Sequence, residues 1–171
     1  IDVPACRARG VEVVHTPAAN TEAVVDYTIG HIIAMNRRFW PIAGAVTPEE
    51  FHKSRKQVFG RFLSSLTLGI VGCGRIGSRV GRAAAGLGMR VLYNDIIPIE
   101  LDYAAKSVSK EELYAESDII TIHVPLDDVT RGMINAECVA QFKPGVQFIN
   151  AARGPCVETA ALAEGLKSGQ I

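Results

Sequence analysis

A glycine-rich turn lies between a short apolar run and a helix-forming stretch near the middle of the chain. The apolar run covers residues 66–71, the glycines are Gly72, Gly74 and Gly77, and the helix-forming stretch covers residues 78–87. This spacing is typical of a strand, turn and helix that bind a dinucleotide. The first glycine permits the tight turn, the second lets a pyrophosphate approach the backbone, and the third lets the helix pack on the strand. The helix N-terminus then favours the anion.

An acidic residue closes the next apolar run and narrows the choice of dinucleotide. Asp95 follows residues 90–94, which we predict to form the second strand. A carboxylate at this point accepts hydrogen bonds from the adenosine ribose hydroxyls and repels the 2′-phosphate of NADP. The following residues 96–99 contain no basic side chain. The sequence therefore favours NAD over NADP, although Asp95 as a strand-end cap or turn former remains an alternative.

Short β-rich runs alternate with helical patterns along the rest of the chain. This order predicts an α/β fold with a doubly wound parallel sheet, the Rossmann-type arrangement. We expect a capping serine at Ser109 and a capping asparagine at Asn135, each at the start of a helix. The predicted strands are residues 67–71, 90–94, 118–123 and 146–150, and the predicted helices are residues 75–87, 109–114, 135–141 and 157–167.

The N-terminal third of the chain follows a different pattern. Residues 10–15 are β-rich and predict a strand, which Thr16-Pro17 ends. Residues 21–39 form a helical stretch that is apolar over most of its surface, so we expect it to be buried on more than one side. A second copy of the chain is the expected cover, which predicts a homodimer. Pro48 and the two glutamates after it mark another helix start.

Composition excludes several classes of protein. The 171 residues carry 18 basic and 18 acidic side chains, and 48% of them are apolar. Without a basic stripe or a long apolar run we expect no nucleic-acid partner and no membrane span, and the start shows no signal-peptide pattern. The four scattered cysteines predict reduced thiols in a cytoplasmic protein and no metal site. They are Cys6, Cys73, Cys138 and Cys156, of which Cys73 is interpreted as a small filler within the glycine turn.

Several segments, in the same order and spacing, resemble the NAD-binding domain of the D-isomer-specific 2-hydroxyacid dehydrogenases. The resemblance covers essentially the whole chain and is carried by residues 16–24, 68–77, 86–91, 123–126, 130–134, 142–145 and 150–154. Two positions depart from the family pattern. Pro155 and Ser65 stand where the family often has glycine, and Pro155 leaves the shape of its loop open.

The resemblance implies an oxidoreductase that uses NAD and acts on a small 2-hydroxyacid or 2-oxoacid. It assigns the cofactor to Gly72, Gly74, Arg75, Ile76, Gly77, Asp95, His123, Val124, Pro125, Thr130, Ala151 and Ala152. Arg153 is the expected catalytic residue, because a guanidinium matches a substrate carboxylate. A local pairing of Arg153 with Glu158 is the alternative. His123 is placed on the cofactor side and not as the acid or base of the reaction.

In the family, the chemistry also uses a Glu and a His from motifs downstream of the arginine motif. The resemblance places these beyond Ile171. We therefore expect residues 1–15 to be a remnant of an N-terminal substrate domain and residues 16–171 to be an NAD-binding domain that lacks its C-terminal return. Two other functions stay open at this point, namely an NAD(H)-sensing corepressor of the same fold and a purely structural dimerisation domain.

Overall fold

Five parallel strands form a single sheet in the computed structural model, which describes residues 1–37, 44, 46–56 and 60–171. The spatial order of the strands is β3-β2-β1-β4-β5. The predicted α/β fold with a doubly wound parallel sheet is confirmed. The strands are β1 (Thr67–Val71), β2 (Arg90–Asn94), β3 (Lys106–Ser107), β4 (Ile119–Ile122) and β5 (Gln147–Asn150).

Helices pack on both faces of this sheet. The helices of the described residues are α1 (Val3–Ala8), α2 (Thr21–Asn36), α3 (Pro48–Arg55), α4 (Gly77–Gly86), α5 (Lys110–Glu116), α6 (Ala136–Ala140) and α7 (Thr159–Ser168), with 3-10 turns at Leu63–Ser65 and Gly154–Cys156. Of these, α1 and α3 bury no residue. One apolar cluster joins α2 and α4 to the sheet, and a second joins α5, α6 and α7 to its other face. Every residue of β1 and β4 is buried, as expected for central strands covered on both sides.

The four predicted strands of the sheet are confirmed to within one residue at each end. The predicted caps also form. The Ser109 hydroxyl accepts a hydrogen bond from the Glu112 N–H at 3.1 Å, and the Asn135 side chain accepts one from the Cys138 N–H at 3.0 Å. The last helix starts at Thr159 and not at the predicted Val157, because Val157 pairs with Ile134 in an isolated parallel bridge.

The predicted strand at residues 10–15 is wrong. The preceding helix α1 was not predicted; it ends at Ala8 with Arg9 as its C-cap, and Gly10 follows with a φ of 72°, in the left-handed region. Residues 11–15 form no strand, and Val11 and Val14 are 54% and 80% exposed. A β-rich pattern predicts a strand only where a neighbour can satisfy its backbone.

Helix α2 buries one face, where the sequence predicted burial on more than one side. The buried positions recur every three or four residues, and they are Thr21, Val25, Thr28, Ile32 and Asn36. The opposite face exposes Tyr27 and Met35 at 62% and 40%. The helix ends at Asn36, and positions 38 and 39 of the predicted helix lie outside the described residues. The Asn36 amide donates to the Gln147 side chain at 2.7 Å and so fixes α2 against β5.

A buried carboxylate joins the starting ends of the central strands. One oxygen of Asp118 accepts from the Thr67 N–H at 2.9 Å, and the other accepts from Arg61 at 3.0 Å and Lys143 at 2.8 Å. Burial acts to raise the pKa of Asp118, but the hydrogen bonds from Lys143, Thr67 and Arg61 outweigh it and hold the pKa below its usual value. The ionised side chain therefore stabilises the fold.

Replacing this carboxylate by an amide tests its contribution. Asp118→Asn removes the charge that faces two cations, and we expect the free energy of unfolding to fall by about 1–3 kcal/mol. The contribution is present above the unfolded pKa of about 3.9 and is lost as pH falls through the lower folded pKa. Urea unfolding at pH 7 measures the loss, with the exposed Asp128→Asn as the matched control. Equal stability of the two variants contradicts the role of Asp118.

Candidate functional site

The carboxyl ends of the strands bring the predicted site segments to one edge of the sheet. The glycine turn follows β1, Asp95 follows β2, His123 follows β4, and Arg153 follows the end of β5. Strands β1 and β4 are neighbours, and the chain runs from them in opposite directions along the sheet. Ligands bind at such a switch point in open α/β sheets. The arrangement predicts a binding crevice between the ends of β1 and β4.

A cavity of about 300 Å³ opens at this switch point. Seven of the predicted cofactor residues line it, and they are Gly72, Gly74, Asp95, His123, Val124, Pro125 and Thr130. The predicted residues Arg75, Ile76, Gly77, Ala151 and Ala152 lie outside this lining. The structure therefore brings together the glycine turn, the acid after β2 and the loop after β4, and it places the arginine motif farther along the same edge.

The three glycines of the turn differ in what surrounds them. Gly72 has a φ of 87°, and a Cβ on it would lie 2.9 Å from the carbonyl oxygen of His123. A Cβ on Gly77 would overlap the carbonyl oxygen of Gly72, so α4 packs there with backbone against backbone. A Cβ on Gly74 would have no neighbour within 4 Å. Packing therefore requires glycine at the first and third positions, while the second faces open space where a ligand can approach.

The start of α4 lacks a side-chain cap. Ile76 occupies the capping position and makes no side-chain hydrogen bond, and the Ser78 N–H donates to the Gly74 carbonyl at 2.9 Å. The N–H groups of an uncapped first turn favour an anion. The guanidinium of Arg75 donates to the Pro17 carbonyl, at the entry to α2. The side chain of Arg75 is thus engaged with the N-terminal segment and not with the cavity.

Asp95 is held in a fixed orientation by two backbone N–H groups. One carboxylate oxygen accepts from the Cys73 N–H at 2.7 Å, and the other accepts from the Ile97 N–H at 3.3 Å. Asp95 therefore forms a turn after β2, as its structural alternative predicts, and also joins β2 to the glycine turn. Each carboxylate oxygen keeps a further lone pair that a ribose hydroxyl can use.

Cys73 is fully buried within the glycine turn. Burial raises the pKa of its thiol to about 11, so the side chain stays protonated at neutral pH. A nucleophilic cysteine needs a thiolate. This supports the interpretation of Cys73 as a small filler.

His123 is similarly unsuited to proton transfer at neutral pH. Burial lowers the pKa of its imidazole to about 4, and Nε2 lies 3.0 Å from the Thr121 hydroxyl. The ring is therefore neutral at pH 7. The loop that follows is tied together by Thr130, whose hydroxyl donates to the Pro125 carbonyl at 2.6 Å and accepts from the Asp127 N–H at 2.9 Å. This loop presents a preformed wall to the cavity.

The arginine motif forms a tight loop after β5. The Asn150 side chain accepts from the Ala152 N–H at 3.0 Å and donates to the Arg153 carbonyl at 2.9 Å, so it shapes the turn. The Arg153 guanidinium is exposed and donates to the Ala152 carbonyl at 2.8 Å. Within the described ranges no carboxylate, including that of Glu158, lies within 4 Å of it. The alternative, a local ion pair between Arg153 and Glu158, does not form.

Pro155, which departs from the family pattern, lies in the 3-10 turn Gly154–Cys156, where its missing N–H is not needed. Its carbonyl accepts from the Gly132 N–H at 2.8 Å. The Ile134 N–H donates to the Cys156 carbonyl at 3.1 Å. The shape left open by the sequence is therefore a short turn bound to the loop after β4.

The sequence interpretation missed seven of the residues that line the cavity, and they are Val71, Asn94, Ile96, Lys110, Asp127, Val129 and Met133. Ile96 and Val129 line it and are 98% and 86% exposed. The available signal in the sequence was an apolar residue directly after a strand end and another within a polar turn. Apolar residues that are exposed at such positions mark binding grooves. Lys110 also lines the cavity. The sequence interpretation looked for a basic residue only directly after Asp95, in residues 96–99, where there is none. Lys110 was missed because the two-residue strand β3 that places it carries no recognisable period.

Comparison with known proteins identifies the chain. The profile described as the D-isomer specific 2-hydroxyacid dehydrogenase, NAD binding domain, matches residues 29–171. The chain belongs to this family. The prediction of NAD as the cofactor is confirmed by that match.

Three relatives of the chain are each about twice its length. A hydroxypyruvate reductase from Thermotoga maritima is 34% identical over all of this chain and 55% of its own length. An aromatic 2-oxoacid reductase from Clostridium sporogenes is 37% identical over all of this chain and 52% of its own. The D-lactate dehydrogenase of Aquifex aeolicus, solved with NAD and lactic acid, is 34% identical with a TM-score of 0.81 over all of this chain and 52% of that one.

The chain thus spans about half the length of these two curated relatives. In the described ranges, no helix is long and apolar enough to cross a membrane. Across the same residues, no three His, Cys, Asp or Glu side chains are grouped so that they could hold a metal ion.

The residues of this dehydrogenase domain fit NAD at the cavity. Open space above Gly74 leaves room for a pyrophosphate beside the uncapped start of α4, and Asp95 is fixed where a ribose can reach it. The exposed side chains of Ile96 and Val129 offer apolar surface to a base. The pyrophosphate, one ribose and one base of a dinucleotide therefore each have a matching surface along one edge.

Alanine substitutions of the glycines separate folding from binding. Gly77→Ala forces a methyl group into backbone and should lower the free energy of unfolding by about 1–3 kcal/mol. Gly74→Ala should leave stability near that of the parent but weaken NADH binding by about tenfold or more, which is about 1.4 kcal/mol. Exposed Gly86→Ala, with open space at its Cβ, is the control for both measurements. Urea unfolding and NADH fluorescence titration measure the two effects, and a Gly74→Ala protein that binds NADH normally contradicts the assignment.

Proposed function

We propose that the chain is the cofactor domain of an NAD-dependent oxidoreductase that interconverts a small D-2-hydroxyacid and its 2-oxoacid. The observation that carries this proposal is the shared carboxyl edge of the sheet. It presents a cavity lined by the glycine turn, Asp95 and the loop after β4 and, beyond it on the same edge, the guanidinium of Arg153 without a carboxylate partner in the described residues. Bound NADH supplies the hydride, and NAD⁺ accepts it in the reverse direction.

On the cofactor side, Gly72, Gly74 and Gly77 shape the turn that holds the pyrophosphate, with Arg75 and Ile76 contributing the first N–H groups of the helix. Asp95 accepts hydrogen bonds from the ribose hydroxyls, and its charge repels the 2′-phosphate of NADP, which selects NAD. The wall made by His123, Val124, Pro125 and Thr130 excludes water from one side of the cofactor. Ala151 and Ala152 lie at the end of β5, where small side chains leave room for the nicotinamide half.

On the substrate side, we assign Arg153 to the substrate carboxylate. A guanidinium binds a carboxylate through two parallel hydrogen bonds, which orients the adjoining carbonyl as well as holding the charge. Asn150 fixes the turn that carries the arginine, so the side chain starts from a defined backbone. Arg153 is thereby the residue that positions the reacting carbon.

The proton donor for the carbonyl oxygen is proposed to lie in another segment of the parent protein. Arg153 is already assigned to the substrate carboxylate. The imidazole of His123 is neutral at pH 7, because its pKa is about 4. The proposal thus retains the Glu and His that the family uses, at positions outside this chain.

Residues 1–15 place no buried side chain in the fold, and we assign them to the margin of an N-terminal substrate domain, with residues 16–171 as the NAD-binding domain. The relatives named above are reductases and a dehydrogenase, so they give no support to the alternative of an NAD(H)-sensing corepressor. All four cysteines are free thiols. This state is expected in a reducing compartment, and on that ground we place the parent protein in the cytoplasm.

The exposed face of α2 is proposed to form a twofold dimer. Tyr27 and Met35 lie on the side of the helix that the chain leaves uncovered, and His31 packs edge-on against the Tyr27 ring at 4.2 Å between centroids. An apolar stripe of this kind is buried when the same helix of a second copy packs across it.

Substitution of Arg153 in the parent enzyme tests the substrate assignment. Losing one partner of a buried charge pair costs roughly 2–5 kcal/mol. At about 1.4 kcal/mol per decade, Arg153→Gln should lower kcat/KM for 2-oxoacids such as hydroxypyruvate or glyoxylate by roughly 30- to 5,000-fold. Arg153→Lys should recover part of the loss, because it keeps the charge without the fork. Neither substitution should change the affinity for NADH. Weaker NADH binding with an unchanged KM for the 2-oxoacid refutes the assignment.

A charge on the exposed face of α2 tests the dimer. We expect the parent protein to be dimeric by light scattering at high micromolar concentration and Tyr27→Asp to dissociate it, because the new carboxylate faces its own copy across the twofold axis. Leu166→Asp places the same charge on an exposed apolar residue of α7, 58% exposed, and serves as the control. A monomeric parent, or equal dissociation of the two variants, argues against α2 as the interface.

A further inference from the structure

A short edge strand places a lysine in the wall of the cavity. Strand β3 pairs with β2 so that Ser107 lies beside Tyr93. The Val108 N–H then donates to the Tyr93 carbonyl at 3.0 Å, and the Asn94 side chain donates to the Val108 carbonyl at 2.8 Å. These hydrogen bonds fix the segment that follows β3 against the end of β2. Lys110, the first residue of α5, consequently lines the same cavity as Asp95 and Ile96.

The ammonium of Lys110 has no acidic partner in the part of the chain that the structure describes. No carboxylate there lies within 4 Å of it. The neighbouring Lys106 differs, since it forms an ion pair with Glu112 at 2.6 Å. The Lys110 side chain is exposed, so its charge is available to an anion that enters the adenosine end of the cavity.

We propose that Lys110 is a second cofactor-selecting residue, which binds a phosphate monoester on the ribose 2′ oxygen. The proposal rests on the proposed function, in which Asp95 binds that ribose. Asp95 repels the 2′-phosphate, and Lys110, which lines the same cavity, attracts it. Selection for NAD is therefore the difference between two opposed charges and not the effect of Asp95 alone.

This balance has a measurable consequence. Removing the Asp95 charge leaves Lys110 as the dominant charge at the adenosine end, so the site should accept NADPH without the addition of any new base. The attraction should weaken at high salt, because Lys110 is exposed and screened. An arginine at position 110 should serve as well as lysine, since both keep a positive charge that can reach the phosphate.

The test compares four variants of the parent protein by fluorescence titration with NADH and NADPH at low salt. Asp95→Asn should raise the affinity for NADPH relative to NADH. Adding Lys110→Gln should reduce that ratio by about tenfold, which is about 1.4 kcal/mol. Adding Lys110→Arg should preserve the ratio, and so should Lys106→Gln, the matched control that removes a lysine outside the cavity lining.

The outcomes separate this proposal from the proposed function. If the unsubstituted protein binds no NADH, the proposed function fails and this inference fails with it. If it binds NADH but Lys110→Gln changes the ratio no more than Lys106→Gln does, the inference alone is overturned. Lys110→Gln in the protein with Asp95 intact gives a second measurement should Asp95→Asn not fold. There the variant should bind NADPH several-fold more weakly relative to NADH, and an unchanged ratio overturns the proposal.

Discussion

The contact of α4 with the turn that follows β1 is the constraint on which the rest of the site depends. Because Gly77 has no side chain, the first turn of the helix packs directly on the carbonyl of Gly72. That packing sets the position of the helix N-terminus at the switch point between β1 and β4. It also positions the Cys73 N–H to donate a hydrogen bond to Asp95, so the same turn fixes the residue that follows β2.

The fold was predictable where local pattern and tertiary environment agree. Strands β1, β2 and β4 contain apolar runs that helices cover on both faces of the sheet, so each run marked a strand correctly. The pattern failed at residues 10–15, where the same β-forming residues have no neighbouring strand. It also missed β3, since two residues cannot display a period. A strand is stable only when it pairs with another strand, and the pattern of one segment does not show whether a partner is present.

The candidate site was predictable to the extent that backbone shape determines it. Glycine spacing identified the turn, and the acid after β2 followed from its distance along the chain. The contributions of Val129 and Lys110 depend on where a loop and an edge strand bring them, and no spacing rule records that. For Arg75, the sequence predicted the position in the turn but not the direction of the side chain, whose guanidinium donates to the Pro17 carbonyl.

The two loops that border the site are joined by backbone hydrogen bonds. Gly132 donates to Pro155, Ile134 donates to Cys156, and the Glu158 N–H donates to the Ile134 carbonyl at 2.9 Å. The loop after β4, which contributes to the cavity wall, and the turn that follows Arg153 are therefore connected through the main chain. We expect a displacement of this loop on cofactor binding to move the backbone that carries Arg153, and so to change the direction of its guanidinium.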